Sequence, residues 1–564
     1  MDNQTFFADQ FKNTWQEGDS TRPVSILALV LAALLLAGLA QGAPDSRRVV
    51  QASEILATIE RGEPVDYDGV IVEGDLDLSG LDLPNVTVIY REVEFVSPEF
   101  VSPEYDIVVM KRQIIEVKRN ASLVSSPITI NNSEMRGNVD FWNSAFQESV
   151  SFEATNFSAD ANFERARFNS TSDFNKARFS RDAWFNGAQF SRDAWFNGAQ
   201  FSGDVDFIWA QFSSVANFDE AQFNGRSAWF LDANFTGDAS FSRAKFNTIT
   251  YFGQLSKGRV GPQFNSFANF AETQFNDETY FRANFSGYAS FSGAQFNSDV
   301  DFSGTEFIET ADFSNAQFRG NSATFREVNF REIAKFDESE FSGYALFEGA
   351  SFNGTNTFFL TRTQFGKFHI RWKDISDNKL AYNDEVYLLL IENYKNLGWF
   401  KDADDCYYQY RKEYRSHSEM GFFAKFGDFL LEKFYGYGVR PVNALIWSAA
   451  FIVVFGLFWR GIDLSTSNRD VDKNTIIRTG CWSEVIRLVE CLSFSAAVFL
   501  SGTKLFVDPP KYTNPSGKFG FGVGKFKFVI KSRFLARILF IGERVFGAIL
   551  FVLFIYAVSK TIIR

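Results

Sequence analysis

The sequence predicts a mainly β protein, in which a long β-helix is followed by an α-helical membrane region. Two observations support the β-helix. Phenylalanine accounts for 69 of the 564 residues, whereas ordinary cores mix Leu, Ile and Val. From Phe141 to Phe358 the Phe residues recur at alternating intervals of five and six positions, so the true period is eleven. Repetition at a fixed period is typical of a stacked solenoid.

The composition of the repeat excludes a helical solenoid. The segment FSRDAWFNGAQ occurs twice without change, at 179–189 and 190–200. Helical repeats need more than about thirty residues each, and the Gly, Asn, Asp and Ser between the Phe residues are poor helix formers. We therefore expect short strands with Phe pointing inward, a small residue such as Ala188 two positions before Phe190, and Gly, Asn and Asp in the corner turns.

The repeat resembles the pentapeptide-repeat family. The family motif is visible as Ala-Asn-Phe at 161–163 and as Ala-Gln-Phe at 188–190. The alternate sixth residue and the use of Phe in place of Leu match the Phe-rich variant of the family. The resemblance covers 138–365 and implies a right-handed quadrilateral β-helix. Two units per coil give about ten coils and a rod on the order of 50 Å at a strand spacing of ~4.8 Å.

We expect no catalytic, cofactor or metal site in this chain. Repeats this regular lack the long loops on which polysaccharide-cleaving β-helices would carry clustered carboxylates. His369 and His417 are far apart, and the three cysteines, Cys406, Cys481 and Cys491, have no zinc-type spacing. The sequence therefore predicts a protein that is not an enzyme.

The charge balance argues against nucleic acid as a partner. The formal net charge is -12, whereas phosphate binding requires an excess of Lys and Arg. Some acidic rods of the family mimic duplex DNA, but mixed charges on solvated faces are the simpler explanation here. A glycan or protein ligand outside the cell is the expected partner of the rod. It would be bound through exposed aromatic residues such as Trp184, Trp195, Trp209 and Trp229.

The N-terminal residues 1–43 contain an apolar run at 24–43 that ends near the small-x-small site Ala40-Gln41-Gly42. This pattern predicts a signal peptide or an uncleaved signal anchor. The acidic residues before the run depart from a positive n-region, and a buried core helix is the alternative.

Residues 44–137 are predicted to form the start and cap of the solenoid. Ser53 is expected to cap a short helix that Gly62 ends. The duplicated FVSPE at 95–104 is expected to form an exposed insertion, because proline is excluded from central strands.

Residues 366–435 are predicted to form a helical connector. Helical periodicity at 384–415 is broken at Leu397-Gly398, which indicates a helix pair similar to half of a tetratricopeptide unit. Residues 421–434 predict an amphipathic helix whose Phe and Leu face suits a membrane interface.

Residues 436–564 are predicted to form a membrane domain with two spans, 442–459 and 538–558. The apolar segment 491–501 is too short to cross a bilayer but suits a re-entrant pore helix. If the segment is extended to include the charged residues before it, Glu484, Arg487 and Glu490, it instead predicts a third span at 484–504. The Gly-rich segment 517–525 is expected to be a flexible basic loop.

The order of span, short apolar helix and span resembles the two-transmembrane pore domain of potassium-type ion channels. Leu492-Ser493-Phe494-Ser495 stands where such channels have a pore-helix Y-F-S pattern. Glu543 and Gly547 stand where they have an acidic residue and a glycine at the start of the inner helix. The resemblance implies these pore-region candidates: Ser493, Ser495, Ser501, Gly502, Thr503, Lys504, Glu543 and Gly547.

The T-V-G-Y-G filter of these channels is absent. Ser-Gly-Thr-Lys-Leu-Phe stands there from Ser501, and the charge of Lys504 argues against potassium selectivity. The string Tyr435-Gly436-Tyr437-Gly438 precedes the first span and so does not replace the filter.

The sequence thus predicts a multi-pass cell-membrane protein with lipid as a partner and an extracytoplasmic repeat domain. The basic residues between 511 and 537 place the loop before the second span in the cytoplasm. The channel resemblance implies a homo-oligomer, a tetramer if channel-like. The alternative is a structural or adhesive envelope scaffold whose membrane helices serve only as an anchor.

Overall fold

The computed structural model describes residues 47–102, 107–253, 262–355, 357–376, 379–461, 481–503, 518–523, 526–531 and 533–562. The predicted signal segment at 1–43 lies outside these residues. Within them the chain forms a β-solenoid of about 13 turns followed by helices, which confirms the predicted fold class.

Each coil is built from short strands, most of them two residues long. A typical coil contains Asn156–Phe157, Ala161–Asn162, Arg167–Phe168 and Ser172–Asp173. The next coil begins at Arg178–Phe179, which pairs in parallel with Asn156–Phe157. In most of these strands one residue is buried and its neighbour faces outward, as the period of two requires.

The strands stack into four faces. One face has 12 strands, from Val65–Asp68 to Phe358–Phe359, and another has 12 that end at Ser351–Phe352. The other two faces form one 23-stranded sheet, because longer strands such as Glu340–Leu346 run across the corner between them. At a strand spacing of ~4.8 Å, the turns form a rod of roughly 60 Å.

The core of the rod is a set of phenylalanine ladders. Phe185 lies 4.8 Å from Phe163 and 4.8 Å from Phe207 between ring centroids, with nearly parallel rings. It also meets Phe196, which projects from the opposite face, edge-to-face at 5.5 Å. Aromatic pairs in these geometries contribute about 0.5–1.5 kcal/mol beyond their buried area. The ladders therefore favour the register in which each Phe lies over the Phe of the next coil.

The corner turns differ from the expectation. Gly187 and Gly198 have the left-handed backbone that glycine tolerates, but Arg165 and Lys176 adopt the same conformation, with φ of 55° and 54°. A left-handed conformation costs a non-glycine residue roughly 1–2 kcal/mol. The ladder imposes it, since the Lys176 N–H donates to the Asn197 carbonyl of the next coil at 2.8 Å. The prediction that Gly, Asn and Asp fill these corners was therefore only partly right.

The parallel ladders begin before the Phe repeats. Val49–Gln51 pairs with Ile71–Glu73, so coils built from Val, Ile and Leu raise the number of turns above the ten expected. Helix α1 (Ala52–Glu60) covers this end. Ser53 lies inside α1, and Gln51 occupies the cap position without a side-chain bond, so the predicted Ser53 cap is wrong.

A long hairpin occupies the position of the expected insertion. Asn85–Ser102 pairs antiparallel with Ile107–Val124, and the register shifts between Phe95 and Ser97 and between Pro98 and Phe100. Such irregularities accommodate a proline within a strand. At its base Tyr90 is buried, and its hydroxyl donates to the Arg165 carbonyl at 2.8 Å.

Three helices close the C-terminal end of the rod: α2 (Trp372–Ile375), α3 (Asp384–Asn396) and α4 (Phe400–His417). Gly398, with φ of 72°, separates α3 from α4 and confirms the predicted break. Buried residues of α3 and α4 extend the Phe core without interruption.

Asn393 of α3 closes the open backbone edge of the last coil. Its amide accepts from the Phe368 N–H at 3.1 Å and donates to the Phe368 carbonyl at 2.8 Å. The Asn393 side chain thus makes the two hydrogen bonds that a further strand would make to Phe368. The end of a solenoid requires such a cap.

The C-terminal region contains α5 (Phe422–Tyr435), α6 (Pro441–Gly461), α7 (Cys481–Leu500) and α8 (Arg533–Ile562). Among the described residues, two helices are long and apolar enough to cross a membrane, Pro441–Arg460 and Arg537–Ser559. The shorter apolar stretch Leu488–Leu500 lies in α7. Within the Gly-rich segment, the described residues Lys518–Val523 form a strand and not a flexible loop. Its alternating Phe pattern forms an antiparallel hairpin, Lys518–Val523 with Phe526–Lys531.

We predict that Phe196→Ala lowers the free energy of unfolding by about 3–5 kcal/mol, because it opens a cavity in a fully buried ladder. Phe196→Leu, which retains most of the volume, should cost clearly less. Urea unfolding of the full-length protein in detergent, followed by circular dichroism, measures both. Equal losses for the two variants would contradict a core that depends on filled volume.

Candidate functional site in the membrane region

Helices α6, α7 and α8 meet at the carboxyl group of Glu543, which is fully buried. The Trp459 indole of α6 donates to Glu543 Oε2 at 2.7 Å. The Ser495 hydroxyl of α7 bonds to Glu543 Oε1 and lies 2.9 Å from the Ile452 carbonyl. We call Trp459, Ser495 and Glu543 the three-helix clamp, since each comes from a different helix.

Glycines bring the backbones of this region into contact. A Cβ atom added to Gly547 would lie 2.1 Å from the Phe499 carbonyl oxygen. One added to Gly502 would lie 2.2 Å from the Arg544 carbonyl oxygen. Close approach at small residues is a general feature of helix packing in membranes. Both glycines therefore hold the end of α7 against α8.

Aromatic side chains surround the clamp. Phe494 and Phe540 lie 5.3 Å and 6.4 Å from Trp459 between ring centroids. Phe455 and Cys491 are buried in the same cluster. The three side chains of the clamp are fully buried in these apolar surroundings. A polar group that lost its hydrogen-bond partner there would be costly.

The structure brings most of the predicted pore-region candidates together. Ser495, Ser501 and Glu543 are fully buried, and the Ser501 hydroxyl donates to the Val498 carbonyl at 2.7 Å. Ser493 lies on an exposed face of α7. The turn Ser501–Thr503 follows α7, and Lys504 lies outside the described residues.

Sequence reasoning missed Trp459 as a partner of Glu543. The two residues are 84 positions apart, so no local period joins them. The available signal was general: a carboxyl group inside a span needs a donor, and Trp459 is an indole donor near the end of the other span.

The Tyr-Gly-Tyr-Gly string forms the turn between α5 and α6. Gly436, Tyr437 and Gly438 all have left-handed backbones, with φ of 57°, 57° and 83°. The Tyr437 hydroxyl donates to Asp428 Oδ2 at 2.6 Å. The string therefore ends a helix before the first span.

The tryptophans predicted to bind a ligand are only half-exposed on the rod. The ring of Trp229 stacks on Tyr251 at 4.2 Å, and Tyr251 stacks on Tyr280 at 5.2 Å. The Trp209 indole donates to Asp232 at 3.2 Å. Stacking between coils thus occupies one ring face of Trp229 and both ring faces of Tyr251, and the Trp229 N–H donates to the Ser227 hydroxyl at 2.7 Å.

Asp206 lies between two tryptophans on the same face. Its partners in the neighbouring strands are Trp184 and Trp229. Burial raises the pKa of Asp206 to about 6, against the hydrogen bond from the Ile208 N–H, while Glu164 adds to the rise. The ionised form of Asp206 therefore destabilises the folded rod.

We predict that Glu543→Ala lowers thermal stability, since it removes the carboxylate that accepts from the buried Trp459 N–H, at a cost of about 1–3 kcal/mol. Glu543→Gln should cost less, because its amide oxygen can still accept from Trp459. Thermal unfolding of the full-length protein in detergent distinguishes them. Equal losses would show that the clamp hydrogen bonds are not what the carboxyl contributes.

We predict that Asp206→Asn stabilises the rod at pH 7 by up to about 3 kcal/mol. The pKa of Asp206 is higher in the folded than in the unfolded chain, so the contribution of Asp206 to folding stability falls as pH rises from about 4 to about 6. The advantage of the variant should therefore vanish near pH 4, which urea unfolding at both pH values tests.

Asp204→Asn is the control for Asp206→Asn. Burial opposes ionisation of Asp204, but hydrogen bonds from the backbone and side chain of Arg226 and from Ser227 lower its pKa overall. Its ionised form therefore stabilises the fold, and Asp204→Asn should give no gain at pH 7. A gain there equal to that of Asp206→Asn would contradict the assignment.

Comparisons with known proteins bear on the rod alone. The family described as Pentapeptide repeats matches in nine copies, over residues 130–178, 170–208, 196–245 and 280–322. No curated protein and no solved structure matches the chain. The repeats of the solenoid are therefore similar to pentapeptide repeats over these residues.

Proposed function

We propose that this chain is a non-enzymatic membrane protein in which a surface-exposed rod is coupled to a two-span, channel-like domain of altered selectivity. The three-helix clamp is the observation that carries the proposal. It holds α7, whose apolar stretch is too short to cross a bilayer, between the two candidate spans. Span, short helix and span thus pack as one unit.

The coupling of rod and membrane region is supported by an unbroken series of contacts. The Phe core continues into α3 and α4. Arg411 and Arg415 of α4 pair with Asp428 and Glu432 of α5, each at 2.5 Å. Phe434 of α5 then contacts α6. These contacts would transmit a mechanical force on the rod, or a structural change caused by ligand binding to the rod, to the first span.

Altered selectivity follows from the sequence after α7, which lacks the filter motif and carries Lys504. We propose that the channel-like domain functions as a homo-oligomer, and that the rod lies outside the cell, where it binds a glycan or protein. The basic loop before the second span supports this orientation.

The second candidate function is a structural or adhesive envelope scaffold. It is favoured by the way Ser495, Ser501 and Glu543 make hydrogen bonds inside one chain. Their hydrogen-bonding needs are met within the chain and do not require an ion. In this alternative the membrane helices serve only to anchor the rod.

We predict that the protein in a planar bilayer carries unitary currents that a thiol-directed cationic reagent reduces in a Ser493→Cys variant. Ser493 is the predicted pore-region residue on an exposed face of α7, so the change leaves the packing intact. The unsubstituted protein with the same reagent is the control for the three native cysteines, Cys406, Cys481 and Cys491, of which Cys406 and Cys491 are buried.

The absence of current from inserted, folded protein would favour the scaffold. A large residue at Gly502 is unsuitable as a blocking variant, because even a Cβ atom there meets the backbone of α8. Its loss of current would report misfolding rather than a blocked path.

A further inference from the structure

Helix α5 has its polar and apolar faces reversed relative to a helix on the surface of a soluble protein. Its buried residues are the carboxylates Asp428 and Glu432. Its exposed residues include three phenylalanines: Phe422 is 77% exposed, Phe423 87% and Phe426 52%. A helix that packs on a protein core normally turns its apolar stripe inward and its charges to water. The medium outside α5 is therefore not expected to be water.

The inward charges are fully matched, which fixes the rotation of the helix. Asp428 accepts from Arg411 at 2.5 Å and from the Tyr437 hydroxyl at 2.6 Å. Glu432 accepts from Arg415 at 2.5 Å. Turning the Phe face inward would separate Asp428 and Glu432 from Arg411 and Arg415 and break ion pairs whose carboxylates are buried, which is strongly unfavourable. The exposure of the phenylalanines is thus a stable feature of the fold.

The apolar face of α5 is continuous with that of the first span. Phe434 lies 5.1 Å from Trp447 and 6.1 Å from Phe451 between ring centroids. Beyond this contact α6 exposes Val442 and Ile446, at 60% and 61%. An apolar surface that runs from one helix onto a candidate span indicates a common apolar medium.

We infer that α5 lies in the interface of the lipid bilayer, with Phe422, Phe423 and Phe426 inserted among the acyl chains at the end where the first span begins. Lys433 borders this face, and its ammonium lies 5.3 Å from the centroid of the Phe429 ring and pairs with Glu432 at 3.0 Å. The cation beside the apolar face is thus held by one of the inward carboxylates that set the rotation of α5. The inference rests on the membrane placement in the proposed function and not on a pore.

One consequence concerns the rod. Because α4 holds α5 through Arg411 and Arg415, α5 in the bilayer interface brings the C-terminal cap of the solenoid to the membrane surface. The rod is then attached at its base through α5 as well as through the chain that enters the first span.

The test places a nitroxide label at Phe423→Cys in the full-length protein, reconstituted in phosphatidylcholine vesicles. Collision with oxygen, which concentrates in the bilayer, is compared with collision with a neutral nickel chelate, which stays in water. We expect oxygen to dominate at this position, with an oxygen-to-nickel ratio several-fold above that of Glu392→Cys, an exposed position on α3. Labelled protein without an added cysteine supplies the background.

Val453→Cys, on an exposed face of the first span, separates this inference from the proposed function. If oxygen dominates at 453 but nickel at 423, α5 lies in water and the inference is overturned, while the membrane span stands. Low collision with both reagents at 423 would mean that a second copy covers the face, and also overturns it. Nickel dominance at 453 would remove the membrane placement itself.

Discussion

The stacking of phenylalanine on phenylalanine from one coil to the next is the interaction on which the rest of the rod depends. Each ladder places identical rings about one strand spacing apart, so the backbone of successive coils must stay in register. That register supplies the hydrogen bonds that hold Arg165 and Lys176 in a left-handed conformation they would otherwise avoid. It also sets carboxylates such as Asp206 between tryptophans, where burial disfavours their charge. The rod tolerates these unfavourable conformations and charges at its surface because the packing of the Phe core stabilises the fold by more than they cost.

A stack of coils leaves an apolar, unpaired surface at each end, and here the two ends are covered in different ways. At the N-terminal end α1 lies over coils of smaller aliphatic residues. At the C-terminal end α3 extends the Phe core, and its Asn393 side chain hydrogen-bonds to the backbone of Phe368 in the last coil. The second cap is also a connection, because α4 binds α5 through paired charges. Covering the end of the solenoid and joining it to the membrane region are therefore achieved by the same helices.

The C-terminal helices depend on different forces in the bilayer placement that we propose. Lipid is as apolar as such helices, so burial of apolar area would not drive their association, and close packing and polar contacts would carry it. The contacts at Gly502 and Gly547 and the clamp at Glu543 fit this requirement. Residues that the resemblance to ion channels implies as pore-region candidates thus act within one chain as the groups that hold α7 between the spans. Both proposed functions are compatible with that packing, and they differ in what the exposed face of α7 meets.

The sequence by itself determined the features that repeat or that depend on neighbours along the chain. The period of eleven predicted the β-helix and its buried Phe residues, the break at Leu397-Gly398 predicted the helix pair, and hydropathy predicted both spans. Tertiary structure alone decided the partners of Asn393, of Trp459 and of the carboxylates of α5. Periodicity reports which side chains share a face, but not what that face meets. Asp428 and Glu432 look like the solvent side of α5 in the sequence, and they become its buried side only because Arg411 and Arg415 of another helix lie opposite.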